Sequence, residues 1–109
     1  MPKHEFGIMP VAPKKGECYD DYTPWKYRCI SVDDGRIAPH LARLKLIRCF
    51  WYSLDRPEPG LAYDGITLIP PEAVSPFLDV IAEDPALSGL GALLIDALES
   101  RRFVIHYGI

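Results

Sequence analysis

The amino-acid sequence predicts an α+β domain: a small, mostly antiparallel sheet with the C-terminal strand paired inside it and about three helices packed on one face. The first observation is the segment 103–109, FVIHYGI, in which strongly and weakly apolar residues alternate as they do along a β-strand. The second is that three earlier segments carry apolar residues every three or four positions, as one face of a helix does. The third is the length: 109 residues suit one domain, which we assign to 1–109.

The first part of the chain predicts two strands joined by a long loop. Residues 4–9 have the composition of a short strand interrupted by Gly7, and residues 26–32 alternate as a second strand, followed by a turn at 33–35. Residues 10–25, which we call the arm, contain three prolines and no periodicity. A loop of this length is uncommon in a compact domain and is often functional.

The middle of the chain predicts a helix and then a tight turn. Residues 38–53 repeat apolar side chains at helical spacing, but 48–54 also has the aromatic composition of a strand, so both interpretations stay open there. The prolines of RPEPG end the helix. Within 60–69, Asp64-Gly65 predicts a hairpin turn with Gly65 at positive φ, and the alternative is one strand with a bulge at Gly65.

Two further helices are expected before the last strand. Pro70 and Pro71 predict a separate turn, and the first helix then begins at Ser75 and Pro76, because a proline inside a longer helix costs about 3 kcal/mol. The pair 84–85, Asp-Pro, repeats this cap pattern for the second helix. The apolar face of that helix comprises Leu87, Leu90, Leu94, Ala97 and Leu98.

Charge is distributed unevenly along the chain, which has a net charge of −3. Residues 57–99 carry eight acidic side chains and no lysine or arginine, whereas 35–56 is basic. An acidic surface of this kind attracts a basic partner, although charged residues more often only keep the outer faces of helices and strands in water. The favoured interpretation of the charge pattern is therefore solvation, or docking of the acidic elements beside the basic one, and the alternative is an acidic surface that binds a basic protein partner.

The sequence also bears on the cellular compartment. It contains no apolar run of 18 residues and no segment with the features of a signal peptide. Its three cysteines, Cys18, Cys29 and Cys49, are an odd and widely spaced set, which is typical of a reducing compartment. We expect a cytoplasmic protein with no membrane partner.

The candidate catalytic residues are His106, Cys29 and Asp33, which can meet in space as a cysteine–histidine–aspartate assembly. None of them lies in a catalytic or phosphate-binding motif, so a buried inert thiol and a hydrogen-bonded strand histidine are the favoured interpretations. The three histidines and three cysteines do not have the spacing of a zinc site. We expect no metal and no cofactor, and favour a non-enzymatic protein over an enzyme.

The candidate binding residues lie in the arm, in the stretch CYDDYTPW. Rigid aromatic rings beside charges suit a recognition surface, where a few rings supply most of the contact energy. The alternative is that these rings fold back over the core, because a small domain needs such cover. The residues are Tyr19, Asp20, Asp21, Tyr22 and Trp25.

The block GLAYDGITLIPPEA, residues 60–73, followed by FVIHYGI resembles a group of small uncharacterised bacterial proteins. The resemblance extends over the last half of the chain and does not include the arm. It implies a single-domain bacterial protein of the cytoplasm, and it implies no catalytic residues.

Three functions follow as hypotheses. The first is an interaction or regulatory module, such as an immunity protein, an inhibitor or an adaptor, because the chain is small and has an acidic segment and an aromatic arm. The second is a small enzyme or ligand-binding protein with a pocket around His106 and Cys29. The third is a nucleic-acid binder acting through 36–56, which the net charge of −3 disfavours.

Overall fold

The computed structural model of the protein describes residues 2–109, and six of its segments form one sheet. The strands are β1 (Lys3–Ile8), β2 (Ile30–Asp33), β3 (Arg48–Trp51), β4 (Pro57–Pro59), β5 (Ile66–Ile69) and β6 (Val104–Tyr107). Their order across the sheet is β2-β1-β6-β5-β3-β4, and every neighbouring pair is antiparallel. The predicted α+β class and the mostly antiparallel sheet are confirmed.

The C-terminal strand lies inside the sheet, as predicted. β6 pairs with β1 on one side and with β5 on the other, and the two registers place Tyr107 opposite both Glu5 and Ile66. All four residues of β6 are buried, although Phe103 just before it is only half-buried. Because both edges of β6 are hydrogen-bonded, this strand ties the two halves of the sheet together.

Helices cover one face of the sheet. The first helical region consists of α1 (Asp34–Ile37), a 3-10 turn (Ala38–His40) and α2 (Leu41–Leu44), and the long helices are α3 (Pro71–Ile81) and α4 (Ser88–Ser100). Two further 3-10 turns, Pro24–Tyr27 and Pro85–Leu87, precede β2 and α4. Within residues 2–109, every helix falls short of the length and apolar character needed to cross a membrane.

The main core lies between the sheet and these helices. Phe6 of β1 meets Phe77 of α3 edge-to-face, with ring centroids 6.2 Å apart, and both side chains are fully buried. Burying an apolar side chain of this size contributes about 1.5–3 kcal/mol. Other members of this core are Ile37, Leu44, Ile69, Leu94 and Val104.

The arm and the residues that follow it cover the other face of the sheet. A second apolar cluster is formed there by residues of β5 and β6 together with Tyr19, Tyr27 and Cys29. The chain passes very close to β1 at this point, because a Cβ added to Gly7 would lie 2.7 Å from the Cys29 sulfur. Tyr19 of the arm therefore packs over the core, as in the alternative interpretation of the arm's aromatic rings.

The helix predicted over 38–53 is wrong beyond Leu44, and the strand alternative within 48–54 is the one that the structure shows. Helical turns end at Leu44, and Arg48–Trp51 forms β3 between β4 and β5. Arg48 is exposed and Cys49 is buried, which is the alternation of a strand rather than a helix face. Hydrogen bonds to strands on both sides decide the conformation, and local spacing could not show that those partners exist.

The separate turn predicted at Pro70-Pro71 is also wrong, because α3 begins there and continues through Pro76. Pro71 is the first helical residue, where a missing N–H costs nothing. Pro76 removes one internal hydrogen bond, but Val74 and Phe77 on either side of it are fully buried in the core. The energy of their burial offsets the lost hydrogen bond.

Two local turns differ from the prediction. The second strand begins at Ile30 instead of residue 26, because a 3-10 turn ends at Arg28 with a left-handed φ of 51°. The turn before β5 is closed by the N–H of Gly65, which donates to Ala62 O (3.2 Å). Gly65 is thus the last residue of this turn, whereas the predicted hairpin turn had Gly65 as a central residue. Gly65 therefore does not need positive φ, and the glycine of this region that has it is Gly60, at 73°.

The cap predicted at Asp84-Pro85 is confirmed, since the N–H of Ala86 donates to Asp84 Oδ1 (3.0 Å). The other oxygen of Asp84 accepts a hydrogen bond from His40 Nε2 (2.7 Å), and this bond is the main reason that the pKa of Asp84 is lowered. Asp84 thus joins the first helical region to the start of α4.

Candidate functional site

A large groove opens at the end of the sheet where β1 begins and β6 ends. It has a volume of about 960 Å³. Four tyrosines line it, contributed by the arm, the end of β3, the turn before β5, and β6: Tyr22, Tyr52, Tyr63 and Tyr107. The groove therefore has aromatic walls supplied by four separate parts of the chain.

Glu5 lies at the base of this groove. It is on β1 directly opposite Tyr107 of β6, and only 9% of its surface is exposed. The hydroxyl of Tyr22 donates a short hydrogen bond to Glu5 Oε1. This bond is the main cause that raises the pKa of Tyr22 to about 12, so Tyr22 stays protonated and keeps donating at neutral pH.

The aromatic side chains of the arm form a connected group beside Glu5. The rings of Tyr22 and Tyr107 meet edge-to-face at 5.4 Å, and Trp25 packs against the other side of Tyr22 at 6.4 Å. Tyr107 is buried and shares a hydrogen bond of 3.3 Å with the Thr23 hydroxyl. Trp25 remains 69% exposed, which is unusual for so large an apolar side chain.

Charged residues at the groove are mainly acidic. Asp20 and Asp64 line it together with Glu5, and Lys3 is the basic side chain among the described lining residues. The predicted binding residues divide accordingly: Asp20 and Tyr22 line the groove, and Trp25 lies beside it. Tyr19 packs on the sheet, with its N–H donating to Tyr52 O (2.6 Å), and Asp21 is exposed without lining the groove.

A chain of buried polar side chains runs on the opposite, helix-covered face of the same sheet end. His4 Nδ1 and His106 Nε2 are 2.9 Å apart, and the far nitrogen of each ring has its own partner. His4 Nε2 donates to Asp34 Oδ1 (2.9 Å), and His106 Nδ1 is 3.1 Å from the Thr67 hydroxyl. Both histidines and Thr67 are fully buried, so these bonds are shielded from water.

The carboxylate end of this histidine chain places a proton on His4 Nε2. The carboxylate of Asp34 can only accept, and it accepts from His4 and also from the Tyr63 hydroxyl (2.7 Å). At the other end, the N–H of Ala62 donates to the Thr67 hydroxyl oxygen (2.8 Å). The Thr67 hydroxyl can donate to His106 Nδ1 or accept from it, and the tautomer of His106 sets which nitrogen donates between the two rings.

Three groups in and beside the histidine chain have shifted pKa values. Burial, and after it the neighbouring His4, lowers the pKa of His106 well below its usual range. The hydrogen bonds from His4 and then Tyr63 lower the pKa of Asp34, which keeps that carboxylate charged. The hydrogen bond between the Tyr63 hydroxyl and Asp34 raises the pKa of Tyr63. The histidine chain is therefore a satisfied structural network with one charged end at the surface.

The structure does not bring the three candidate catalytic residues together. His106 faces the helices, whereas Cys29 lies on the arm-covered face beside Gly7. Burial raises the pKa of the Cys29 thiol to about 12, which disfavours the reactive thiolate. Asp33 is exposed at the end of β2, and the carboxylate bonded to the histidine chain is its neighbour Asp34.

Sequence reasoning missed both Glu5 and His4, which are consecutive members of β1. The available signal was the alternation of KHEFGI, which puts His4 on the same face as Phe6 and Glu5 on the other. A histidine on the apolar face of a strand requires a buried partner. Which partner it takes depends on the pairing of β1 with β6, two strands at opposite ends of the sequence.

Residues 2–109 contain no group of three or more histidine, cysteine, aspartate or glutamate side chains arranged to hold a metal ion. No protein-family model, curated protein or solved structure matches the chain.

Proposed function

We propose that the protein is an interaction module that binds a basic segment of another protein in the groove beside the arm. One observation carries this proposal: a groove of about 960 Å³ combines four tyrosine rings with three carboxylates and a single lysine. Aromatic rings supply large, rigid contact area, and carboxylates attract and orient a cationic partner.

The arrangement of Trp25 and Tyr22 supports the same function. Both are more than half exposed, and they contact each other at the rim of the groove. Exposed aromatic residues next to a concave acidic surface are typical anchors of a binding site. A partner segment lying in the groove would cover both rings and remove their apolar surface from water.

Only part of the acidic segment 57–99 contributes to this surface. Asp64 lines the groove, whereas the acidic residues of α3 and α4 lie on the helices, on the other side of the sheet. Their charge acts on a basic partner at longer range and is screened by salt. We infer that they raise the rate of association more than the strength of the final complex.

The test compares two double charge reversals that change the net charge equally. Asp20→Lys with Asp64→Lys alters the groove, and Asp79→Lys with Asp96→Lys alters exposed positions on α3 and α4. Each variant and the wild type are used to capture partners from the native cells, and each captured protein is then purified and titrated against all three.

We expect the groove variant to lose the partner, because two of the three carboxylates become repulsive to a cation. The helix variant should keep the complex and mainly show slower association at low salt. Equal binding by all three proteins, or equal loss in both variants, would contradict a groove site. Circular dichroism and melting curves establish that the variants are folded.

The compartment and lineage are part of the same proposal. The resemblance of 60–73 and 103–109 to small bacterial proteins supports a bacterial, cytoplasmic origin. Fractionation of the native cells, with the protein detected by antibody, tests this, and recovery in a secreted or membrane fraction would contradict it.

A further inference from the structure

We propose that Glu5 is the residue that selects the partner's charged group, and that the group is the primary ammonium of a lysine side chain rather than the guanidinium of an arginine. The inference rests on the proposed function, since it names the chemistry that the groove would recognise. It depends on Glu5, its two oxygens and the two rings beside them.

The first step is the burial of Glu5 together with its incomplete hydrogen bonding. The side chain is nine-tenths buried, yet within residues 2–109 only Oε1 has a hydrogen-bond partner, the Tyr22 hydroxyl. No fully enclosed side-chain oxygen or nitrogen of the described residues lacks a partner, so Oε2 is at least partly exposed, and Glu5 is one of the residues that line the groove. A carboxylate this buried is strongly stabilised by any cation that reaches its open oxygen.

The second step is that just one oxygen is open. An arginine pairs best with a carboxylate through two parallel N–H···O bonds, which need both oxygens. Tyr22 already occupies Oε1. A lysine ammonium is a compact point charge that needs one oxygen, so the geometry at Glu5 suits lysine better than arginine.

The third step is the position of the rings. Tyr22 and Tyr107 meet at 82° beside Glu5, which forms a corner with the carboxylate near its base. An ammonium at this corner gains attraction from a ring face in addition to the charge pair. The methylene groups of a lysine side chain would lie along the tyrosine walls of the groove.

Lys3 of the protein itself could compete with a partner's lysine for Glu5. It is two residues before Glu5 on the same face of β1 and lines the same groove. Among the described residues Lys3 forms no ion pair, so its own ammonium does not occupy Glu5 in this structure. Replacing Lys3 with glutamine removes a like charge from the groove and should therefore strengthen lysine binding.

The test uses short capped peptides as probes: Gly-Lys-Gly, the same peptide with arginine, and the same peptide with acetyl-lysine. Binding to the wild type is followed by NMR shifts of Tyr22 and Tyr107. We expect the lysine peptide to bind several-fold more tightly than the arginine peptide, and acetyl-lysine to bind weakest. Glu5→Gln keeps the shape of the side chain and should weaken lysine binding by about tenfold or more.

The Tyr22→Phe variant tests the preference between the lysine and arginine peptides, which would not change if Tyr22 only supported the fold. Removing its hydroxyl opens the second oxygen of Glu5, so preference should shift from lysine towards arginine. Equal binding of the lysine peptide by wild type and a folded Glu5→Gln variant, or an unchanged preference in Tyr22→Phe, would overturn the inference. A natural partner that needs the groove but not Glu5 would leave the proposed function standing and remove only this assignment.

Discussion

Replacing His106 with glutamine should flatten the dependence of folding stability on pH in mildly acidic solution. His106 is fully buried, with His4 and Thr67 bonded to its two ring nitrogens, and Asp34 reaches it only through His4. Its pKa is well below the usual value, whereas in the unfolded chain it returns to about 6.5. Below about pH 6.5 the unfolded state therefore binds a proton at His106 that the folded state does not bind.

The sign and size of the effect follow from this difference. His106 contributes stability that is fully present above its unfolded pKa and is lost as the pH falls towards its folded pKa. One proton bound only by the unfolded state changes stability by about 1.4 kcal/mol per pH unit. While His106 stays neutral in the fold, the loss between about pH 7 and about pH 5 amounts to about 2 kcal/mol. Asp34 acts in a lower window, because its pKa is lowered from 3.8.

The assay is urea unfolding of the wild type and His106→Gln at several pH values in this range. The wild type should lose about 2 kcal/mol more than the variant between about pH 7 and about pH 5. If the variant does not fold, an NMR titration of the wild type tests the prediction by itself, because the imidazole signals of His106 should not titrate in this pH range. A normal titration of His106, or parallel pH profiles of two folded proteins, would refute the reasoning.

Three further predictions concern packing. Gly7→Ala should destabilise the protein and displace the residues after the arm, because the added Cβ would lie 2.7 Å from atoms of both Tyr27 and Cys29. The control is Gly89→Ala, where nothing lies within 4 Å of the added Cβ, and this variant should be neutral or stabilising by up to about 1 kcal/mol. Phe77→Ala should cost about 3–5 kcal/mol in chemical unfolding, and a cost under about 1 kcal/mol would contradict a close-packed core. Deleting 103–109 removes the strand between β1 and β5 and should abolish cooperative melting, which a sharp transition in the truncated chain would disprove.

Features governed by local periodicity were predictable from the sequence. The terminal strand follows from its alternation, and α4 follows from its apolar spacing, whereas the predicted cap at Asp84 begins the 3-10 turn that leads into α4. Most of the apolar pattern at α4 is buried, since Leu87, Leu90, Leu94 and Ala97 pack in the core and Leu98 stays exposed. In β6 the alternation did not show that Val104 and His106, on the less apolar face, are also fully buried. The helix predicted at 38–53 is wrong beyond Leu44 because spacing alone cannot show that Arg48–Trp51 has strands on both sides.

The candidate site was predictable only in part, because pairing register assembles it. Tyr22 and Asp20 were identified from their residue types in a loop, and they line the groove. Glu5 and Tyr107 become neighbours through the pairing of β1 with β6. Sequence spacing contains no information about a contact between residues at opposite ends of the chain, so neither was expected beside the arm.

The two sides of the groove are held by different kinds of interaction, which affects how it would bind. The turn containing Tyr63 is held by backbone bonds from Gly108 to Gly65 O (2.7 Å) and from Ile109 to Tyr63 O (3.1 Å), and by the Tyr63 hydroxyl on Asp34. Asp34 is in turn fixed by the buried histidine chain, so this side is preorganised. The arm side is held mainly by the packing of aromatic rings and by the bond of Tyr22 to Glu5. Because ordering a loop costs binding energy, substitutions in the arm should change affinity through both contact and order, whereas the turn provides a fixed surface.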